Sequence, residues 1–270
     1  MSKRLNRIVV GFLIISTVIL GVTYNYFINK KKEKSLNMYS TTYSTSSESS
    51  EEVVEIETLE NKSVLMVGDS ITWLDGNKVD DLGLITGYQE ILKKQGASIY
   101  SYGNAGGTYR LHNKHSNRNH RSIYQEIVEK KFISFYNADI ITLFGGTNDV
   151  GVGSYLGKVD SQDPNETFGA LNLLIDYLKE KNPTGKIYLF SPIYSSKENR
   201  PEKQMNDLVK GFEEIANLKD VEFIDMYHDF SITKDTAEMY LYDGLHPNDL
   251  GMELIGEKFK EVIETDLNNN

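Results

Sequence analysis

Five short apolar runs, separated by stretches with helical spacing, constrain what this chain can fold into more than any other feature. They are residues 62–68, Ser98–Tyr102, Asp139–Phe144, Lys186–Phe190 and Val221–Asp225, and the helical patterns fall at about 79–95, 121–132, 166–181, 202–217 and 249–264. Strands that read as near-continuous apolar runs are buried on both faces, and a helix between successive strands makes them parallel. The expectation is an α/β fold: a flavodoxin-like three-layer sandwich around a five-stranded parallel sheet, in the order 2-1-3-4-5. At 270 residues the chain has room for one such domain and its extensions.

The segment before the first strand has a different character. Residues 1–34 carry Lys3, Arg4, Arg7, Lys30, Lys31, Lys32 and Lys34 against Glu33 alone, while Ile8–Asn29 holds no charge at all. That uncharged stretch is long enough to span a bilayer, ends in the bulky Tyr24-Asn25-Tyr26-Phe27, and shows no small-residue cleavage site. The expectation is a single N-terminal transmembrane helix, uncleaved, with the long C-terminal domain on the extracytoplasmic side of the cell membrane. Residues 35–59 are rich in Ser, Thr and Glu, which bury too little apolar surface to order a chain, and read as a flexible spacer. The domains expected are therefore an anchor over 1–34, a linker over 35–59 and a catalytic-size unit over 60–270.

The net charge of −10, despite that basic leader, leaves an acidic body, which argues against a nucleic-acid partner. With no cysteine, the chain has no disulfide, thiolate metal site or cysteine nucleophile.

In sheets of this type ligands bind beyond the carboxyl ends of the strands, and the polar motifs cluster there. The first strand stops at Gly68-Asp69-Ser70, which makes Ser70 a candidate nucleophile. The second runs into Gly103-Asn104-Ala105-Gly106-Gly107-Thr108, a bend whose N–H groups can serve an oxyanion. The third ends in Gly145-Gly146-Thr147-Asn148-Asp149, which offers the Asn148 amide as a further donor. A base for a serine is a histidine oriented by a carboxylate. Two pairs have the spacing for it, Asp243 with His246 and Asp225 with His228, and spacing leaves both open.

Taken jointly, Gly68-Asp69-Ser70, the glycine bend, Gly146-Thr147-Asn148-Asp149 and Asp243-Gly244-Leu245-His246 resemble the blocks of the SGNH hydrolases, the GDSL esterase/lipase family, over roughly residues 61–264. The resemblance implies Ser70 as nucleophile, His246 as general base, Asp243 as its orienting carboxylate, and an oxyanion hole from the N–H of Ser70, the N–H of Gly106 and the side chain of Asn148. Gly107 stands in reserve for Gly106, because the second block is compressed here. Asp69 and Asp149 are expected to tie down their turns. No metal or organic cofactor is implied. The function implied is hydrolysis of acyl esters through an acyl-enzyme, the substrate an O-acetyl or short acyl group on a carbohydrate, lipid or cell-envelope polymer. An acyltransferase to a sugar hydroxyl and a non-catalytic polysaccharide-binding module are the alternatives. A nucleotide-binding domain is disfavoured, since neither Gly-x-Gly-x-x-Gly nor a phosphate-loop lysine occurs. The Gly-x-Ser-x-Gly elbow of the α/β-hydrolases is also lacking around Ser70, because Thr72 stands where that motif needs glycine.

Tyr109–Arg121 carries Arg110, His112, Lys114, His115, Arg118, His120 and Arg121. It reads either as a solvated basic loop or as a cleft wall that attracts anionic substrate.

Overall fold

In the computed structural model the residues described are 57–79, 82–111, 121–131 and 137–269. The anchor expected over 1–34, nearly all of the spacer, and residues 112–120 of the basic segment lie outside them. Among the described residues no helix is long and apolar enough to cross a membrane.

The strands β1 (Ser63–Gly68), β4 (Ser98–Gly103), β5 (Ile140–Phe144), β6 (Lys186–Phe190) and β7 (Glu222–Ile224) form one sheet in the order β4-β1-β5-β6-β7, with every neighbouring pair parallel. This is the order 2-1-3-4-5 expected from the sequence. A separate two-stranded ribbon, β2 (Lys78–Val79) with β3 (Gly83–Leu84), follows the first short helix.

The period of two within each strand divides the interior into two cores. On one face lie Val64 and Met66 of β1, Ile140 and Phe144 of β5, and Tyr188 and Phe190 of β6. Leu65 and Val67, Ile141 and Leu143, and Ile187 and Leu189 face the other way. The first face is covered by α2 (Gln89–Lys94) and by α7 (Asp249–Leu267), which follows the short α6 (Ala237–Tyr240). Here Phe259 stacks on Phe190 with centroids 3.7 Å apart and meets Phe144 edge-on at 5.4 Å. The second is covered by α4 (Thr167–Lys181) and α5 (Glu202–Lys219), whose buried Met205, Leu208, Val209, Phe212, Ile215 and Ala216 recur at helical spacing.

Two expected helices are shorter than their patterns. The run at 79–95 is helical only over Gln89–Lys94, and Gly83 within it holds φ of +77°, which no α-helix accommodates. That stretch turns back on itself as the β2–β3 ribbon instead. In the run at 121–132 the helical part covers residues 123–129 and ends in a π-helical turn, Gln125–Glu129, closed by Lys130 N–H to the Gln125 carbonyl at 2.9 Å. The folded unit also begins before residue 60. Leu59 is fully buried, and the N–H of Glu57 donates to the Asn268 side chain at 2.9 Å.

Candidate functional site

The carboxyl ends of β1, β4 and β5 converge with the loop before α7. Gly68 ends β1 without a side chain because there is no space for one: a Cβ would stand 2.0 Å from Thr72 Oγ1 and 2.5 Å from the Phe144 carbonyl oxygen. The chain then starts α1 (Ser70–Trp73), with Asp69 as N-cap and its Oδ1 accepting from the Ile71 N–H at 3.0 Å. Ser70 therefore stands in the first turn, where helix N–H groups have no carbonyl partner within the helix.

Beyond β5, Gly146 adopts φ +104° and leads into α3 (Thr147–Gly151), which carries Asn148 and Asp149. Asp149 is fully buried and accepts from the N–H of Tyr109 at 2.9 Å, the N–H of Arg110 at 3.3 Å and the Thr167 hydroxyl at 3.1 Å. It thus ties α3 to the segment after the glycine bend and to the start of α4.

The third part is the turn Tyr242–Pro247. Here Asp243 Oδ1 accepts from the N–H of Leu245 at 2.9 Å and of His246 at 2.8 Å, which leaves Oδ2 to face His246 Nδ1 at 3.0 Å. His246 Nε2 lies 2.9 Å from Ser70 Oγ, across 176 residues of sequence. Burial raises the proton affinity of the Asp243 carboxyl, but the hydrogen bonds from the His246 ring and N–H, its charge and the Leu245 N–H outweigh that, so the group sits well below the usual carboxylate range. An ionised carboxylate only accepts, so the Nδ1 facing it carries the proton and Nε2 is left as acceptor for the serine hydroxyl. The Tyr242 ring stacks along the imidazole at 5.7 Å, and the Ser195 hydroxyl pins the turn by donating to the Gly244 carbonyl at 2.8 Å.

Asn148 Nδ2 donates to the Gly107 carbonyl at 3.0 Å. Gly107 commits its own N–H to the Asn104 carbonyl at 2.7 Å, whereas Gly106 lines a cavity of about 330 Å³ together with Ser70, Asn148 and His246. Trp73, Leu74, Val79, Ala105 and Leu245 supply its apolar wall.

The other Asp/His pair folds into the same local shape, with Asp225 Oδ2 2.7 Å from His228 Nδ1. Its Nε2 faces the Asn206 side-chain oxygen at 2.9 Å instead of a hydroxyl. One residue at the site escaped the sequence reading. Arg200 donates through Nη2 to Asn148 Oδ1 at 3.2 Å and through Nε to Thr147 Oγ1 at 2.9 Å, and no motif or spacing marks it.

Asp69 and Asp149 share an electrostatic consequence. Burial pushes both carboxyls up to about 6, against the lowering effect of their N–H partners. A carboxyl whose pKa is raised by folding binds its proton more tightly in the native state. Its favourable contribution is complete below the ordinary value near 3.8 and is lost as pH rises through about 6. Asp69→Asn keeps the cap oxygen but removes this titration. Urea melts of wild type and variant at pH 4.5 and 7.5 should show the variant gaining on the order of 1–3 kcal/mol relative to wild type at the higher pH. Parallel pH curves would show that Asp69 does not titrate in this range.

Known proteins share the sequence and the fold of this chain. Residues 66–254 match the model of the GDSL-like lipase/acylhydrolase family. The chain is 31% identical over 140 residues to a multidomain esterase of Ruminococcus flavefaciens, covering 49% of this chain and 16% of that protein. It is 30% identical over 151 residues to an N-acylneuraminate cytidylyltransferase of Escherichia coli O18:K1:H7, covering 54% and 33%. The chain thus spans a third or less of the curated relatives it matches. A crystal structure of a protein from Lactobacillus plantarum superposes with a TM-score of 0.63 at 23% identity, covering 76% of this chain and 98% of that one, which shows the shared fold. With the family match extending from within β1 into α7, the chain belongs to the GDSL-like lipase/acylhydrolase family, the SGNH hydrolases, a family of ester hydrolases.

Proposed function

We propose that the protein hydrolyses short acyl esters by serine catalysis through an acyl-enzyme. The observation that carries this reading is the continuous relay from Asp243 Oδ2 to His246 Nδ1 at 3.0 Å and from His246 Nε2 to Ser70 Oγ at 2.9 Å. Ser70 Oγ attacks the ester carbonyl while its proton passes to His246 Nε2, and Asp243 steadies the imidazolium. The carbonyl electrons move onto oxygen, where the N–H of Ser70, the N–H of Gly106 and the second amide hydrogen of Asn148 hold the charge. Collapse breaks the bond to the alcohol, which leaves with the proton from His246. Water then repeats the sequence on the acyl-serine and frees the acid.

The apolar cavity beside Ser70 supports a small acyl group. At about 330 Å³ it lies at the low end of the range for ligand sites, roughly 300–1,000 Å³. It suits an acetyl or butyryl chain with part of the alcohol. With p-nitrophenyl acetate, butyrate and octanoate, kcat/KM should fall at least about tenfold from the shorter esters to octanoate. A profile that rises with chain length would contradict the short-acyl reading. Within this proposal the natural ester is carried by a carbohydrate or envelope polymer, and the enzyme works outside the membrane on a tether formed by the uncharged residues 8–29.

A further inference from the structure

We infer that Arg200 is a positioning residue for the oxyanion donor: its guanidinium fixes which way the Asn148 amide faces and strengthens the N–H that the amide presents. The inference rests on the proposed ester hydrolysis and adds to it a residue that no block of the family resemblance contains.

An amide side chain has two ends of nearly equal shape and opposite polarity, and only one sense of rotation makes it an oxyanion donor. On one side the Gly107 carbonyl accepts from Nδ2 at 3.0 Å. On the other, Arg200 Nη2 donates to Oδ1 at 3.2 Å. Flipping the amide would set two acceptors against each other at Gly107 and two donors at Arg200. The oxygen would then face the developing negative charge. Arg200 is itself held as a rigid part, because Nε donates to Thr147 Oγ1 at 2.9 Å and Nη1 to Asn199 Oδ1 at 2.8 Å.

The backbone makes room for this arrangement. Gly151, one turn after Asn148 on α3, has no side chain, and a Cβ there would stand 2.8 Å from Arg200 Cζ and Nη2. Asn199 Nδ2 donates to the Gly151 carbonyl at 2.8 Å, so neighbouring residues of one loop grip both ends of the short helix. A cation donating to Oδ1 draws electron density through the amide, and hydrogen bonds linked in this way reinforce one another. The gain is largest when Nδ2–H meets a full negative charge, in the transition state. The effect should therefore appear in kcat more than in KM.

Arg200 also lines a second cavity of about 470 Å³ with Tyr194, Lys197, Glu202, Tyr227 and His228, which provides a rival role as a direct contact for an anionic substrate. A double-mutant cycle on the neutral ester p-nitrophenyl acetate separates the two. Arg200→Met should lower kcat about ten- to a hundredfold with KM changed less than about threefold, and Asn148→Ala should lower it about a hundred- to a thousandfold. In the Asn148→Ala background, Arg200→Met should cost less than about threefold more, since the residue it acts through is gone. Equal losses in both backgrounds, a loss confined to KM, or no loss at all would overturn the inference. Should Arg200→Met fail to fold, Arg200→Lys goes through the same cycle under the same criteria, because a single ammonium cannot reproduce the planar fork to Thr147 and Asn148. Absence of turnover in the wild type, or its persistence in Ser70→Ala, would count against the hydrolase reading itself. An additive cycle in a working enzyme counts against Arg200 alone.

Discussion

Replacing Ser70 with alanine should lower kcat on p-nitrophenyl acetate on the order of 10⁴–10⁶-fold, leaving the fold intact. A nucleophile and its base act as a unit, so removing either loses the covalent route entirely and leaves only what binding and oxyanion donors contribute. Ser70 is nearly buried, its hydroxyl meets His246, and no secondary-structure hydrogen bond depends on that hydroxyl in the first turn of α1. The melting temperature should therefore move by no more than a few degrees while turnover collapses. Progress curves of wild type and variant, recorded beside their thermal melts, check both halves of the prediction.

Asp243→Asn is the second large effect, on the order of 10³–10⁴-fold in kcat with little change in KM. The turn survives, because an asparagine oxygen can still accept from the N–H groups of Leu245 and His246. The atom facing His246 Nδ1 changes from an acceptor to a donor. The ring responds by placing its proton on Nε2, where it donates to Ser70 Oγ instead of accepting from it. The imidazole stays in position and holds the wrong tautomer. Steady-state kinetics of this variant would contradict the assigned role if kcat fell less than about tenfold.

The framework of the fold could be read from the residues because its central strands are buried on both faces. Leu65 and Val67 serve one core and Val64 and Met66 the other, so β1 appears in sequence as an unbroken apolar run. The α5 pattern was legible for a related reason: Met205, Leu208, Val209 and Phe212 mark one face at helical spacing. The pattern over 79–95 has apolar residues at helical spacing, yet its first part, up to Leu84, belongs to a ribbon, because the left-handed backbone at Gly83 stops a helix there.

The site divides in the same way. Gly68, Gly146 and the polar residues after them stand at strand ends, where local sequence already states both turn and chemistry. The two Asp/His pairs were indistinguishable because they are alike locally: each aspartate accepts from the backbone of its own histidine and from its ring. What separates them is the group beyond the ring, Ser70 for one and Asn206 for the other, and that depends on the tertiary fold. Arg200 left no trace for the same reason, since its partners at the site, Asn148 and Thr147, lie 52 and 53 residues earlier on another element.

The most direct measurement is to treat the protein with an organophosphonate ester that phosphonylates activated serines, and to map the adduct by peptide mass spectrometry. The relay from Asp243 through His246 predicts one adduct per chain, on Ser70, absent in Ser70→Ala and formed at least about a hundredfold more slowly in His246→Ala. An adduct on a different residue, or ester turnover that continues undiminished once Ser70 is fully modified, would contradict it.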